Sequence, residues 1–185
     1  MTKSLASRLS ALAATSILAF GIQVPVFAAG SDSGDAPTPT ETTEKCTDGK
    51  VWDKDKKECV KPEKSGFNDT DLYKAARELA YAGQYRNAIK VLQVASNQND
   101  PRILNYMGFA NRKLGNVDVA MSYYKRAIAA DSNYLLARSY MGQGLILQGD
   151  IEGARAQLVE IRDRGGKDSF AYRSLYDALK RDVTY

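Results

Sequence analysis

The 185-residue chain has no histidine. That removes the Ser-His-Asp triad, the Cys-His pair and His-ligated zinc or haem. Its two cysteines are too few for a disulfide scaffold, and five prolines among fourteen glycines exclude collagen-like or proline-rich architecture. Long hydrophobic runs are almost missing. The only one spans Leu9 to about Phe20, shorter than the roughly 20 residues that cross a bilayer. No G-x-S-x-G or phosphate-binding glycine loop is present, and Gly142-Gln143-Gly144 lacks the preceding strand and third glycine of a dinucleotide fingerprint. The acids are scattered over expected solvent faces. The reading is therefore not an enzyme, with no cofactor and no metal. What remains, 44% hydrophobic and 26% charged residues, is a globular composition.

Residues 1–28 contain no acid and read as a signal peptide. Lys3 and Arg8 precede the apolar run, and Val26 and Ala28 suit cleavage after Ala28, with Ala29 the second choice. Two of the 26 Lys and Arg lie there, leaving 24 basic against 22 acidic groups in the mature chain. That balance does not point to nucleic acid. Export to the periplasm or the exterior is expected, with no transmembrane segment left in the mature chain. Residues 29–44 hold Ser, Thr, Pro, Gly and acid, cannot bury enough surface to offset ordering entropy, and read as a disordered linker. Residues 45–67 form a small cysteine loop. Cys46 and Cys59 have only each other to pair with in an oxidising compartment, so a disulfide is expected. Val51-Trp52 and Cys59-Val60 flank a charged tip and predict a short hairpin. Trp52, the only tryptophan, either covers the disulfide or stands ready to stack on a sugar ring.

From Asn68 onward helical spacing takes over, and it repeats. Tyr106-Met107-Gly108 returns as Tyr140-Met141-Gly142, and Leu114-Gly115-Asn116-Val117 as Gln148-Gly149-Asp150-Ile151, both 34 positions later. A third copy, Ala82-Gly83-Gln84-Tyr85 followed by Ala88 and Leu92, lies 32 positions before the second. Gly83, Gly115 and Gly149 take the turn, and Ala76, Gly108 and Gly142 are small residues of each first helix. Ala88, Ala120 and Ala154 sit where each second helix crosses the first. Over residues 69–163 this pattern resembles the tetratricopeptide repeat family. The cysteine loop is similar to small segments that precede repeat domains in some exported bacterial proteins, and more weakly to stapled modules that contact cell-wall glycans. The pattern's proline is displaced to Pro101 in the first copy and absent at Asp131-Ser132, and Gly165-Gly166 closes the last helix. Asp100, Asn116, Asp131 and Asp150 are candidate helix caps. Residues 168–182 predict a helix that covers the open end of the array.

The resemblance implies an all-α, right-handed superhelix of about three helix-turn-helix repeats with a C-terminal cap helix, across residues 68–185. It also implies a concave groove lined by the first helices: Tyr73 and Arg77 from one, Arg102, Asn105, Tyr106, Phe109, Arg112 and Lys113 from the next, Tyr140 and Gln143 from the third. Aromatic and arginine side chains are enriched in interface hot spots. The expected role is a non-enzymatic scaffold whose groove takes an acidic and apolar peptide or helix of a protein partner. A cell-envelope glycan, contacted through Trp52 and the cysteine loop, is the alternative. Of the five positions that clamp a C-terminal carboxylate in some family members, Tyr73, Tyr106, Leu136 and Tyr140 depart in type and only Arg77 is basic, so that specificity is not expected.

Overall fold

A computed structural model describes residues 36–182. The signal peptide expected at 1–28 lies outside the described residues. The elements are α1 (Glu41–Lys45), β1 (Val51–Asp53), β2 (Glu58–Val60), a 3-10 turn (Pro62–Lys64), then α2 (Asp69–Tyr81), α3 (Tyr85–Leu92), α4 (Pro101–Lys113), α5 (Val117–Ala130), α6 (Leu135–Leu147), α7 (Ile151–Ile161) and α8 (Phe170–Asp182). Three helix pairs, α2/α3, α4/α5 and α6/α7, are followed by α8, as the periodicity predicts. Among the described residues no helix is long and apolar enough to cross a membrane.

The repeat residues act as expected. Gly83, Gly115 and Gly149 adopt φ of 76°, 85° and 77° between the helices of each pair, a region that side chains with Cβ rarely enter. The second helices then start at Tyr85, Val117 and Ile151. Ala88, Ala120 and Ala154 are fully buried at the crossings. The core runs continuously from Val51 through α2–α6, and a second cluster joins Ala154 and Ile161 to Ala171, Leu175 and Leu179 of α8. Helix α8 thus covers the apolar end of the third pair.

The two-residue deficit of the first repeat falls on α3, which has 8 residues against 14 in α5. Side chains satisfy the freed backbone. Gln98 Nε2 donates to the carbonyls of Leu92 at 2.9 Å and Ala95 at 2.8 Å. The Asp69 carboxylate accepts from the amides of Ser96 at 2.7 Å and Asn97 at 2.8 Å. Those amides, Asn97 foremost, hold the Asp69 carboxyl below the usual carboxylate range. Asp100 caps α4 through the Arg102 amide at 2.8 Å, and Asp150 caps α7 through the Gly153 amide at 2.8 Å. Asn116 stands at the N-cap of α5 without a side-chain cap bond, and Asp131 ends that helix rather than opening α6, whose N-cap is Tyr134. Asn116 Nδ2 donates to Asn111 Oδ1, and Asp131 Oδ1 accepts from the Asn133 backbone amide in the turn before α6.

The N-terminal segment departs from its sequence reading. Residues 40–45, expected to belong mostly to a disordered linker, include a capped helix docked on α2. Thr40 N and Thr43 Oγ1 each donate to Glu78 Oε1 at 2.7 Å, and Thr40 Oγ1 lies 2.9 Å from Oε2. Glu78 is 8% exposed, so these are charge-assisted bonds to a mostly desolvated carboxylate. They offset the ordering entropy that the composition argument counted alone. The Cys46–Cys59 disulfide, Cα to Cα 5.6 Å, ties the end of α1 to β2. The strands pair antiparallel with Val51 opposite Val60 and Trp52 opposite Cys59. Val51 enters the main core, and a Cβ at Gly49 would lie 3.1 Å from the Lys90 side chain of α3. The cysteine loop is therefore seated on both helices of the first pair.

Candidate functional site

The first helices α2, α4 and α6 place an unbroken row of rings side by side. Tyr73 meets Tyr106 edge-on at 5.5 Å, Tyr106 meets Phe109 at 5.9 Å, and Phe109 meets Tyr140 at 5.0 Å. Tyr81 stacks on Phe109 at 6.4 Å. Such offset and edge-on pairs add to the stabilisation from burial alone.

Cations rest on the row. Arg102 lies 5.1 Å over Tyr73, Arg77 lies 5.0 Å over Tyr81, and Lys113 lies 5.7 Å from Phe109. Arg112 is 5.7 Å from both Phe109 and Tyr140. Its Nε donates to Tyr124 Oη at 3.3 Å and its Nη2 to Gln143 Oε1 at 3.0 Å. Gln143 Nε2 in turn donates to Ser174 Oγ at 2.9 Å. One chain of hydrogen bonds therefore spans α4, α5, α6 and α8. Arg77 Nε donates to Tyr106 Oη at 3.1 Å. Burial opposes the Arg77 charge, but the surrounding tyrosine oxygens, Tyr106 first, outweigh it and raise the pKa. Arg102 is held by Asp100 at 2.6 Å, which raises its pKa and neutralises it locally.

Burial pushes the Tyr124 phenol up to about 12, with Arg112 opposing, and pushes Tyr140 higher still. Both tyrosines are therefore neutral at physiological pH and act as fixed hydrogen-bonding and packing groups.

The structure divides the expected groove residues. Arg77, Arg102, Phe109, Arg112 and Gln143 are half-buried and Lys113 is exposed. Tyr73, Asn105, Tyr106 and Tyr140 are buried, Asn105 and Tyr106 completely. These four cannot line an open surface, which corrects the expectation of a tyrosine-rich hollow. The physical reason is close approach. Ala76 and Gly108 let the helices close in, and the rings fill the space between them. Asn105 Oδ1 and Ser139 Oγ, at equivalent positions of successive repeats, are buried with no hydrogen-bond partner among the described residues. Sequence reasoning missed Tyr124, Ser174 and Glu78. Each meets its partner from a different element, Tyr124 with Arg112, Ser174 with Gln143 and Glu78 with Thr40 and Thr43, which no local spacing encodes. Cys46 and Cys59 are bonded as expected, and Trp52 is half-buried beside Cys59 with Lys45 Nζ 5.0 Å over its ring.

The tetratricopeptide repeat family matches residues 111–179. That stretch of the chain carries tetratricopeptide repeat sequence. The matched stretch runs from the last turn of α4 to the last turn of α8, so it takes in the terminal helix and extends past the expected limit at residue 163. Among solved structures, the crystal structure of MamA is similar, at 17% identity and a TM-score of 0.45, covering 64% of this chain and 82% of that one. No curated protein matches the chain. Tetratricopeptide repeats support a role as a protein–protein interaction scaffold. The disulfide, with no membrane-spanning helix among the described residues, is compatible with an extracytoplasmic setting.

Proposed function

We propose that this protein is a non-enzymatic, exported bacterial scaffold, and that the accessible edge of its aromatic row takes an acidic and apolar peptide or helix from a protein partner. Arg112 carries the proposal. Its partners among the described residues, Tyr124, Gln143, Phe109 and Tyr140, are all neutral. It keeps its full charge, fixed in place, at a seam where apolar ring surface is also available. Lys113 stands beside it on Phe109, and Arg77 extends the basic character along α2. A carboxylate paired with Arg112 and an apolar side chain laid against Phe109 would use both features, with charge also guiding encounter. Asn105, Tyr106 and Tyr140 support this surface from below.

Selection of a displayed peptide library on the mature protein tests the reading. Enrichment of Asp or Glu next to Phe, Leu or Tyr is expected. Arg112→Gln combined with Lys113→Glu should weaken the selected peptides about tenfold, the loss of one or two charge-assisted contacts. Enrichment of basic peptides, or affinity unchanged in that variant, overturns it. Export is checked separately: N-terminal sequencing of the protein from the periplasm or medium should begin at Ala29 or Gly30.

A further inference from the structure

We infer a second binding site, for a neutral saccharide, in the cleft between the disulfide hairpin and α2. The cleft has a volume of about 520 Å³, within the range of small-ligand pockets. It exists only because the N-terminal segment is seated on the first repeat. Trp52 and Asp55 come from the hairpin side, Phe67 from the connection, and Asp71 and Lys74 from α2.

The chemistry of the lining selects the ligand class. Four carboxylates border the cleft, but two are already spent. Asp53 accepts from the Asp55 and Lys56 amides at 3.0 Å each and pairs with Lys56 Nζ at 3.2 Å. Glu78 is taken up by Thr40 and Thr43. Asp55 and Asp71 remain, against Lys54 and Lys74. The Asp55 carboxylate and both ammonium groups make no side-chain hydrogen bond or ion pair among the described residues, and Asp71 accepts only a long bond of 3.4 Å from the Asn68 amide. The charge that no ion pair cancels is thus balanced, three of each sign: Asp55, Asp71 and Glu78, whose threonine partners are neutral, against Lys54, Lys74 and the Lys45 that lies over Trp52, with donors and acceptors interleaved. A strongly charged ligand would meet as much repulsion as attraction there. A polyhydroxylated neutral ring can donate to the carboxylates, accept from the ammonium groups and lay its C–H face on an aromatic wall. Lys45 already stands over the Trp52 ring, and the same ring electrons attract polarised C–H groups. This site shares no residue with the Arg112 seam and does not depend on the peptide reading.

Trp52 is the only tryptophan, so its emission reports this cleft alone. The mature chain would be titrated with chitotriose, cellotriose and maltotriose, and separately with Asp-rich and Lys-rich peptides. A saturable emission change with at least one saccharide at millimolar or lower concentration is expected. Asp55→Ala with Lys74→Ala should weaken it about tenfold without moving the thermal unfolding midpoint, since both side chains are exposed and unpartnered. Arg112→Gln should leave it unchanged. A loss of saccharide binding in Trp52→Phe, read by calorimetry with the fold intact, further supports the site. The inference is overturned if none of the saccharides gives a saturable response, if the double variant binds as well as the parent, or if only the peptides bind.

Discussion

Gly108 has no room for a methyl group. A Cβ there would lie 2.5 Å from the Tyr124 ring, which is fully buried and holds Arg112 through its hydroxyl. Gly108→Ala should therefore lower stability by about 1–3 kcal/mol, as overpacking does, measured by urea denaturation. Gly66→Ala, with nothing within 4 Å, is the neutral control. Ser139→Ala should be neutral or stabilising by about 1 kcal/mol, because it removes a buried hydroxyl without a protein partner; a clear loss would show that the hydroxyl is satisfied. Tyr124 also sets an alkaline limit. Its pKa rises from 10.0 to about 12 because burial disfavours the phenolate. The stability this provides is complete below pH 10.0, the unfolded value, and is lost as pH rises towards about 12. Phenolate absorbance from the buried tyrosines should consequently appear together with loss of helical circular dichroism, and not before it.

At the scale of elements, α1 is held by side chains rather than by its own helicity. Five residues are too few for an isolated helix. Its attachment is the bond set from Thr40 and Thr43 to Glu78, reinforced by the bond from the Trp52 amide to Thr42 Oγ1 at 3.2 Å. Glu78→Gln removes the charge and turns one acceptor into a donor. Amide exchange across residues 40–60 should then accelerate by one to two orders of magnitude, matching about 1–3 kcal/mol, while α4–α7 keep their protection. Equal acceleration throughout would mean that the segment and the repeats unfold as one unit. Helix α3 is the complementary case. Its shortness is readable as a two-residue deficit, but the turn that replaces its last residues rests on Asp69, from the start of α2.

Over the whole molecule, both ends of the helical stack are covered. Helix α8 closes one end through Leu175, against which Gly142 packs. The disulfide segment closes the other through Val51 and Gly49. Exchange of Cys46 and Cys59 for serine should lower the thermal midpoint by several degrees, since a disulfide closing a loop of this length contributes about 3 kcal/mol. Helical content should stay unchanged, because α2–α8 contain no cysteine. Helix pairs, turns and the terminal helix were legible in advance: Gly83, Gly115 and Gly149 impose a backbone conformation, and buried alanines recur with the repeat. The candidate surface was legible only in part. The family resemblance implied that Tyr106 and Phe109 share one face of α4, yet one ring is enclosed and the other half-open.

The sequence by itself determined the number of helix pairs, their turns, the cystine and the basic, aromatic character of the first helices. Each follows from residues close in the chain or from a repeated spacing. Tertiary structure alone decided which rings are enclosed, that Arg112 is held by Tyr124 and Gln143, and that a threonine-rich segment docks on Glu78. Those outcomes depend on how closely helices approach and on which distant side chain can satisfy a buried charge. Both are properties of packing in three dimensions, which no local pattern encodes.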